Sequence, residues 1–320
     1  MPEDRLEPAI MRRLKALTQL ETCSPFTRSF FSLIGSLLVQ SRESAEVGGV
    51  LCDYLDLELW YYHQVGGAQD PEGPSPSSLR SLNEKRRISL QAFAEQLERL
   101  AQYEGLIGAA RHLLLAECYY HLDRREEVIT ELRAAVDLGC DRPIVCFALG
   151  YNLFHLAIER YTSYLPGLDG YIITDRSAFV EECEKAMRAF SRGFADSSFD
   201  AQIHWWIGTT LESMGRREDA AVSYRRSERS DPLNFRAPVA RKLQLLGQGE
   251  GPPKTLEPLR DASPSEREPY DLDGPGEHCF EEAADPDEVR RFADLLRRAP
   301  RLTRMLASDE FAEGAGDGSQ

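Results

Sequence analysis

The chain lacks three things whose absence narrows its function. It has no excess of positive charge: 38 Lys and Arg face 53 Asp and Glu, a formal net charge of −15. A sequence-independent nucleic-acid binder needs a basic surface to displace counterions, and an anionic membrane surface attracts basic segments, so both classes are disfavoured. It has no long apolar run. The greasiest stretch, Phe30 to Val39, is about ten residues, too short for a bilayer, and it reads as a buried helix. The N-terminal MPEDRLEPAIMRRLK is charged and carries no secretory pattern. It also has no CxxC pair. Cys23, Cys52, Cys118, Cys140, Cys146, Cys183 and Cys279 form an odd, dispersed set, which fits reduced thiols in a cytoplasmic protein rather than a disulfide framework.

Motifs for chemistry are equally scarce. GQGEGPPKT, from Gly247 to Thr255, has the outline of a phosphate loop, but Pro253 stands where glycine must precede lysine and no strand leads in. Around Asp271 to Gly274, Pro269 and Phe280 occupy the end-ligand positions of a calcium loop. The six histidines are scattered and none has zinc spacing. His112 and His204 read as packing residues. With no nucleophile motif, no metal ligands and no cofactor site in view, the expectation is a non-enzyme without cofactor. The excess of arginine over lysine fits a GC-rich bacterial genome.

What is present is helical periodicity. Residues 1–65 read as a helical segment, with Leu6, Ile10, Leu14 and Leu17 at helix spacing and a later helix over 44–64. The Pro/Gly/Ser-rich run 66–82 reads as a loop. Helices resume at Asn83, where Leu90, Phe93, Ala94, Leu97 and Leu100/Ala101 make one stripe. From 109 to 234 the helical pattern is almost unbroken. Residues 250–320 hold eighteen Asp/Glu against nine Lys/Arg, and 248–284 reads as an acidic, disordered linker. An amphipathic helix over 285–308 carries Val289, Phe292, Leu295/Leu296, Leu302 and Leu306 on one side, followed by a tail, 309–320.

Two stretches of the helical region repeat one another. LDRREE follows the first and MGRRED the second, and small and bulky residues recur at matched offsets. In the unit from Ala201 these are Gly208, Leu211, Gly215, Ala220, Tyr224, Ser227 and Pro232; in the unit from Ala109 they are Ala116, Tyr119, Asp123, Val128, Leu132, Ala135 and Cys140. Between them, the unit from Pro143 starts with Leu149, Gly150 and Leu153 and ends with Ala186, Phe190 and Gly193. Small residues let two antiparallel helices approach, and a bulky one fills the gap. The units are therefore 109–142, 143–200, lengthened by about 24 residues between its helices, and 201–234, with a period of about 34 residues. A helix from Pro238 to Leu246 is expected to cap the stack, and a fourth, earlier unit would pair Glu46–Tyr62 with the helix carrying Ala94.

This residue set and period resemble the tetratricopeptide repeat (TPR) family. The resemblance implies an all-α, antiparallel helix-pair solenoid over 83–247, with an N-terminal helical extension and a largely disordered acidic C-terminal tail. It also implies a concave groove lined by the first helix of each unit. Carried over, the groove residues are Leu113, Glu117 and Tyr120, then Phe147, Tyr151, Phe154, Ile158 and Tyr161, then Gln202, Trp205, Thr209 and Glu212. The stripe from Phe147 to Tyr161 continues past the usual helix end, so the insertion is expected to lengthen that helix before Pro166-Gly167. Its aromatics admit two readings: anchors for a bound peptide or helix, or core packed against the insertion. The family's clamp for acidic chaperone tails is absent, because Leu113, Glu117, Ala148, Gln202 and Trp206 hold its positions. The expected role is a protein-binding adaptor or scaffold for an apolar or aromatic segment, with self-association through the 285–308 helix and no nucleic-acid or membrane partner. The alternative is a TPR-type chaperone for a secreted or membrane-active protein; an enzyme with a hidden site ranks third.

Overall fold

The computed structural model describes residues 6–20, 25–40, 45–66, 76–165, 170–194 and 199–247. These form eleven helices and one two-stranded hairpin. The acidic linker, the 285–308 segment, the tail, Cys23 and Cys279 lie outside the described residues. Among the described residues no helix is long and apolar enough to cross a membrane. The chain divides into two compact units, and the division falls at Leu114/Leu115, inside one helix.

The first unit contains α1 (Leu6–Thr18), α2 (Pro25–Val39), α3 (Ala45–Gly66) and α4 (Pro76–Glu98). Helix α3 is its spine, with Val47, Val50, Leu51, Tyr54, Leu55 and Leu59 buried. The stripe expected on α1 is real: Leu6, Ile10, Leu14 and Leu17 are all buried. Close approach depends on Gly48, where an added Cβ would come within 2.7 Å of Leu6. Two acids on α3 face different neighbours. Asp56 takes a forked pair from Arg13 of α1, 2.7 Å at each nitrogen, and Glu58 accepts Arg86 of α4 at 2.7 Å. Residues two apart on a helix point to different sides, so α3 is clamped on both. Two boundaries differ from the sequence reading. Helix α4 begins at Pro76, within the run read as loop, and it stops at Glu98, which leaves Ala101 exposed beyond the stripe.

Helix α5 (Gly105–His121) starts in the first unit and ends in the second. The second unit continues with α6 (Arg125–Asp137), α7 (Pro143–Tyr161), β1 (Thr162–Leu165), β2 (Gly170–Ile173), α8 (Arg176–Arg192), α9 (Asp200–Ser213), α10 (Arg217–Ser230) and α11 (Pro232–Gly247). Each helix from α6 to α11 packs on the next, and α7 also touches α9. Pro143 and Pro232 each open a helix, where a missing N–H costs nothing. Asp175 caps α8 through Ala178 N at 3.0 Å.

The insertion behaves as expected in one respect and not in another. It lengthens α7 to 19 residues, against 14 for α9. It then forms an antiparallel hairpin, Thr162 opposite Ile173, where only helix and loop were expected. Thr162, Ile172 and Ile173 are β-branched and buried, which favours strand over a further turn of helix. The capping helix is also longer than expected. It starts at Pro232 rather than Pro238, and Pro238 sits inside it.

Candidate functional site

The site is built from repeated interlocks. In α9 and α10, an added Cβ at Gly208 would lie 2.7 Å from the Tyr224 ring; in α7 and α8, one at Gly150 would lie 2.6 Å from the Phe190 ring. In both pairs a glycine meets an aromatic ring of the partner helix. The far ends match as well. Ser227 Oγ donates to Ala201 O at 2.7 Å, and Gly193, at the equivalent place, lies against Pro143 O. Residue numbers rise along one helix as they fall along its partner, so both pairs are antiparallel.

The turns correspond too. Gly215 has φ +81° and Asp123, at the matched position after α5, has φ +60°. Arg216 N donates to Leu211 O at 2.8 Å and Arg124 N to Tyr119 O at 2.9 Å, the same six-residue closure. The two Arg-rich motifs perform one task. Arg124 Nε donates to Glu127 and Arg216 Nε to Asp219, each at 2.9 Å.

These interlocks lay α7 and α9 side by side, and aromatic rings fill the seam. Tyr151 and His155 on α7 are 4.2 Å apart between ring centroids. Trp206 of α9 meets Tyr151 edge-on at 4.9 Å and also contacts Phe154 and His155. Burial, aided by the charge of Arg125, pushes the His155 imidazole down to a pKa of about 3, so the ring is neutral near pH 7. Its Nε2 is buried without a hydrogen-bond partner among the described residues, and so is Gln202 Oε1 on α9.

The groove residues expected from the sequence separate into two sets. Phe154 and Leu113 are fully buried, and Phe147, Ile158, Trp205, Thr209 and Glu212 are buried as well. Phe147 rests on Phe190. Trp205 packs between Tyr224 and Phe235 of α11. Glu212 accepts the Tyr224 hydroxyl and Lys242 of α11, while Thr209 accepts Tyr224 at 3.3 Å. For Phe147, Trp205 and Glu212 the core reading of the stripe describes the packing, because α8 or the long α11 supplies their neighbours. The other set retains surface. Tyr120 is 40% exposed, and Glu117, Tyr151, Tyr161 and Gln202 are half-buried. Glu117 is engaged by His121 Nε2 at 3.2 Å.

Sequence reasoning passed over His155 and used Trp206 only as a missing clamp residue. The signal was available: His155 lies one turn beyond Tyr151, on the same side of α7. Of the other candidates, His204 stacks on Phe194 at 4.5 Å, and burial followed by the Arg226 charge lowers its pKa. Cys140, Cys146 and Cys183 are buried and their thiols are pushed up by it, which opposes thiolate chemistry. Among the described residues no three His, Cys, Asp or Glu gather as a metal site.

No protein-family model matches the sequence, and no curated protein or solved structure matches it. The functional reading therefore rests on the geometry of the helix pairs. That geometry is an apolar seam with half-buried Tyr151 at its surface and two lone polar atoms beneath, His155 Nε2 and Gln202 Oε1.

Proposed function

We propose that the second unit is a TPR-type helix-pair stack and that the protein is an adaptor binding a protein segment along the α7–α9 face. The TPR assignment is supported by the paired interlocks, Gly150 on Phe190 and Gly208 on Tyr224, together with the matched turns at Asp123 and Gly215. One observation carries the binding reading: Tyr151, His155 and Trp206 meet between the first helices of successive pairs. A partner apolar side chain laid on Tyr151 would bury area at small rotamer cost, and a donor reaching Gln202 Oε1 would satisfy an orphaned acceptor. This face is narrower than the twelve-residue groove expected from the sequence. It consists of Tyr151, Tyr161 and Gln202 at the surface, with the buried members on α7 and α9 as its support.

The test compares partner binding by wild type with Tyr151→Ser and Gln202→Ala, each with helicity and unfolding midpoint checked. Trp205→Ala serves as the core control. Loss of a directly binding partner in both surface variants at unchanged stability supports the reading. Retention of that partner in both, with loss only in the destabilised Trp205→Ala, removes it.

A further inference from the structure

The outer face of α10 carries a basic stripe although the chain as a whole is acidic. Val222, Arg225, Arg226 and Arg229 are all exposed and recur at i, i+3, i+4 and i+7, which makes one continuous stripe. The basic character continues into α11, where Arg236 and Arg241 are exposed and Leu233 is 97% exposed. From Val222 to Gly247 there are six Lys/Arg against two Asp/Glu, in a chain with a net charge of −15. One of the two acids, Glu228, lies 3.9 Å from Arg236, which leaves the three α10 arginines facing outward together. The inward side of α10 is committed to packing, with Ala220, Ser223, Tyr224 and Ser227 buried.

The complementary charge is in the same chain. From Glu268 to Phe280 there are four Asp/Glu and no Lys or Arg, interspersed with Tyr270, Leu272 and Phe280. This run follows α11, which packs directly on α10. Glu268 lies twenty-one residues beyond Gly247, enough chain to reach along the roughly 21 Å length of α10. Tethering at that length places the acidic run near the stripe at an effective concentration on the order of millimolar, so a weak charge contact suffices to hold it.

We propose that the acidic segment 268–280 docks on the Arg225–Arg226–Arg229 stripe of its own chain. Its carboxylates pair with the guanidinium groups, and Phe280 or Leu272 covers exposed Val222. The segment then acts as a tethered occupant that a more strongly acidic partner must displace. This contact lies on the second helix of its pair, apart from the α7–α9 face, and does not depend on the adaptor reading.

Cys279 lies within the acidic run, and Trp205 and Trp206 lie on α9, which packs on α10. With Trp60→Phe in place, energy transfer from α9 to a label on Cys279 therefore reads the docking. In the full-length Cys23→Ser/Trp60→Phe chain, the described cysteines are buried and Cys279 can be labelled with an acceptor. Raising salt from about 0.01 M to about 1 M shortens the screening length from about 30 Å to about 3 Å, and transfer is expected to fall about two-fold or more. Arg225→Glu/Arg226→Glu/Arg229→Glu is expected to abolish the salt-sensitive part, with helicity unchanged because all three side chains are exposed. Adding Asp271→Arg/Asp273→Arg/Glu277→Arg to that chain should restore it. Salt-sensitive transfer that survives the arginine reversal overturns the assignment to this stripe. Transfer that rises with protein concentration overturns docking within one chain, and transfer insensitive to salt overturns the contact.

Discussion

The two compact units are both helical, yet their helices are held together by different devices. In the first, α3 carries Asp56 and Glu58 into the interior, and Arg13 and Arg86 come from α1 and α4 to meet them. In the second, the α7–α8 and α9–α10 pairs close by seating an aromatic ring on a glycine. Charge pairing specifies which helices are neighbours without repeating any motif, so it leaves no periodic trace in a sequence. Glycine on aromatic must recur at a fixed offset wherever the pair recurs, so it does leave one. The difference explains why the sequence of the second unit carries a recurring pattern and that of the first does not.

The largest expected effect tests the ionic clamp. The Glu58 side chain is 1% exposed, so Arg86→Met strands a carboxylate in the interior and should destabilise the first unit by about 3–5 kcal/mol. Trp60 lies in the first unit, and Trp205 and Trp206 in the second, so chains keeping one set or the other report the two transitions separately in urea. The midpoint seen by Trp60 is expected to drop and that seen by Trp205/Trp206 to stay. Arg86→Met/Glu58→Leu should recover most of the loss, since a well-packed apolar pair is an adequate substitute for a buried ion pair. If the single variant melts like wild type, the clamp is not what unites α3 and α4.

The interlock is tested from the opposite direction, by adding atoms. Gly208→Ala places a methyl 2.7 Å from the Tyr224 ring and should cost the second unit about 1–3 kcal/mol, with Gly150→Ala costing a similar amount through Phe190. Gly49, where an added Cβ would meet nothing within 4 Å, is the control, and Gly49→Ala should be neutral or slightly stabilising. Equal behaviour of the three alanine variants would contradict the contrast drawn between the units.

His155 adds a pH dependence to the second unit. Its pKa in the folded chain is about 3, below the ordinary value of 6.5, so the unfolded chain binds the extra proton between those limits. Stability from this group is fully present above about pH 6.5 and falls as pH is lowered towards 3, by at most about 1.4 kcal/mol per pH unit. His155→Phe removes that proton. The stability difference between variant and wild type, measured from pH 7.5 to 4.5, should therefore shift in the variant's favour as pH falls. A constant difference would mean that His155 is not the buried neutral ring described.

The helical content, the interlocked pairs and the lengthened α7 were legible because each rests on local periodicity. The groove was legible only in part. Its twelve residues share one helical offset, but whether a side chain at that offset faces solvent depends on what lies across from it. For Trp205 and Glu212 that is α11, whose Phe235 and Lys242 come from a helix expected to start six residues later. Pro238 misled because proline usually marks a helix start, whereas Asp231 and Pro232 had already supplied one, with Asn234 N donating to Asp231 Oδ1. The hairpin was missed for a similar reason. Thr162, Ile172 and Ile173 carry β propensity, but a four-residue strand has too few alternations to be recognised.

The smallest expected effect concerns the place where the repeated units differ most in residue and least in shape. Asp123 stands where the later unit has Gly215, and both adopt left-handed backbone, φ +60° and +81°. An L-residue in that region is strained by contact between its Cβ and the backbone, and aspartate tolerates it better than most. Asp123→Gly should therefore stabilise the second unit by at most about 1 kcal/mol, the lower strain being partly offset by a more flexible unfolded chain. Gly215→Ala, the reciprocal change, should destabilise by about 1–2 kcal/mol, since alanine lacks the short polar side chain that helps aspartate. The sign of the pair decides the matter. If Asp123→Gly destabilises, the carboxylate of Asp123 makes a contribution the glycine cannot, and the two turns are alike in backbone while differing in what holds them.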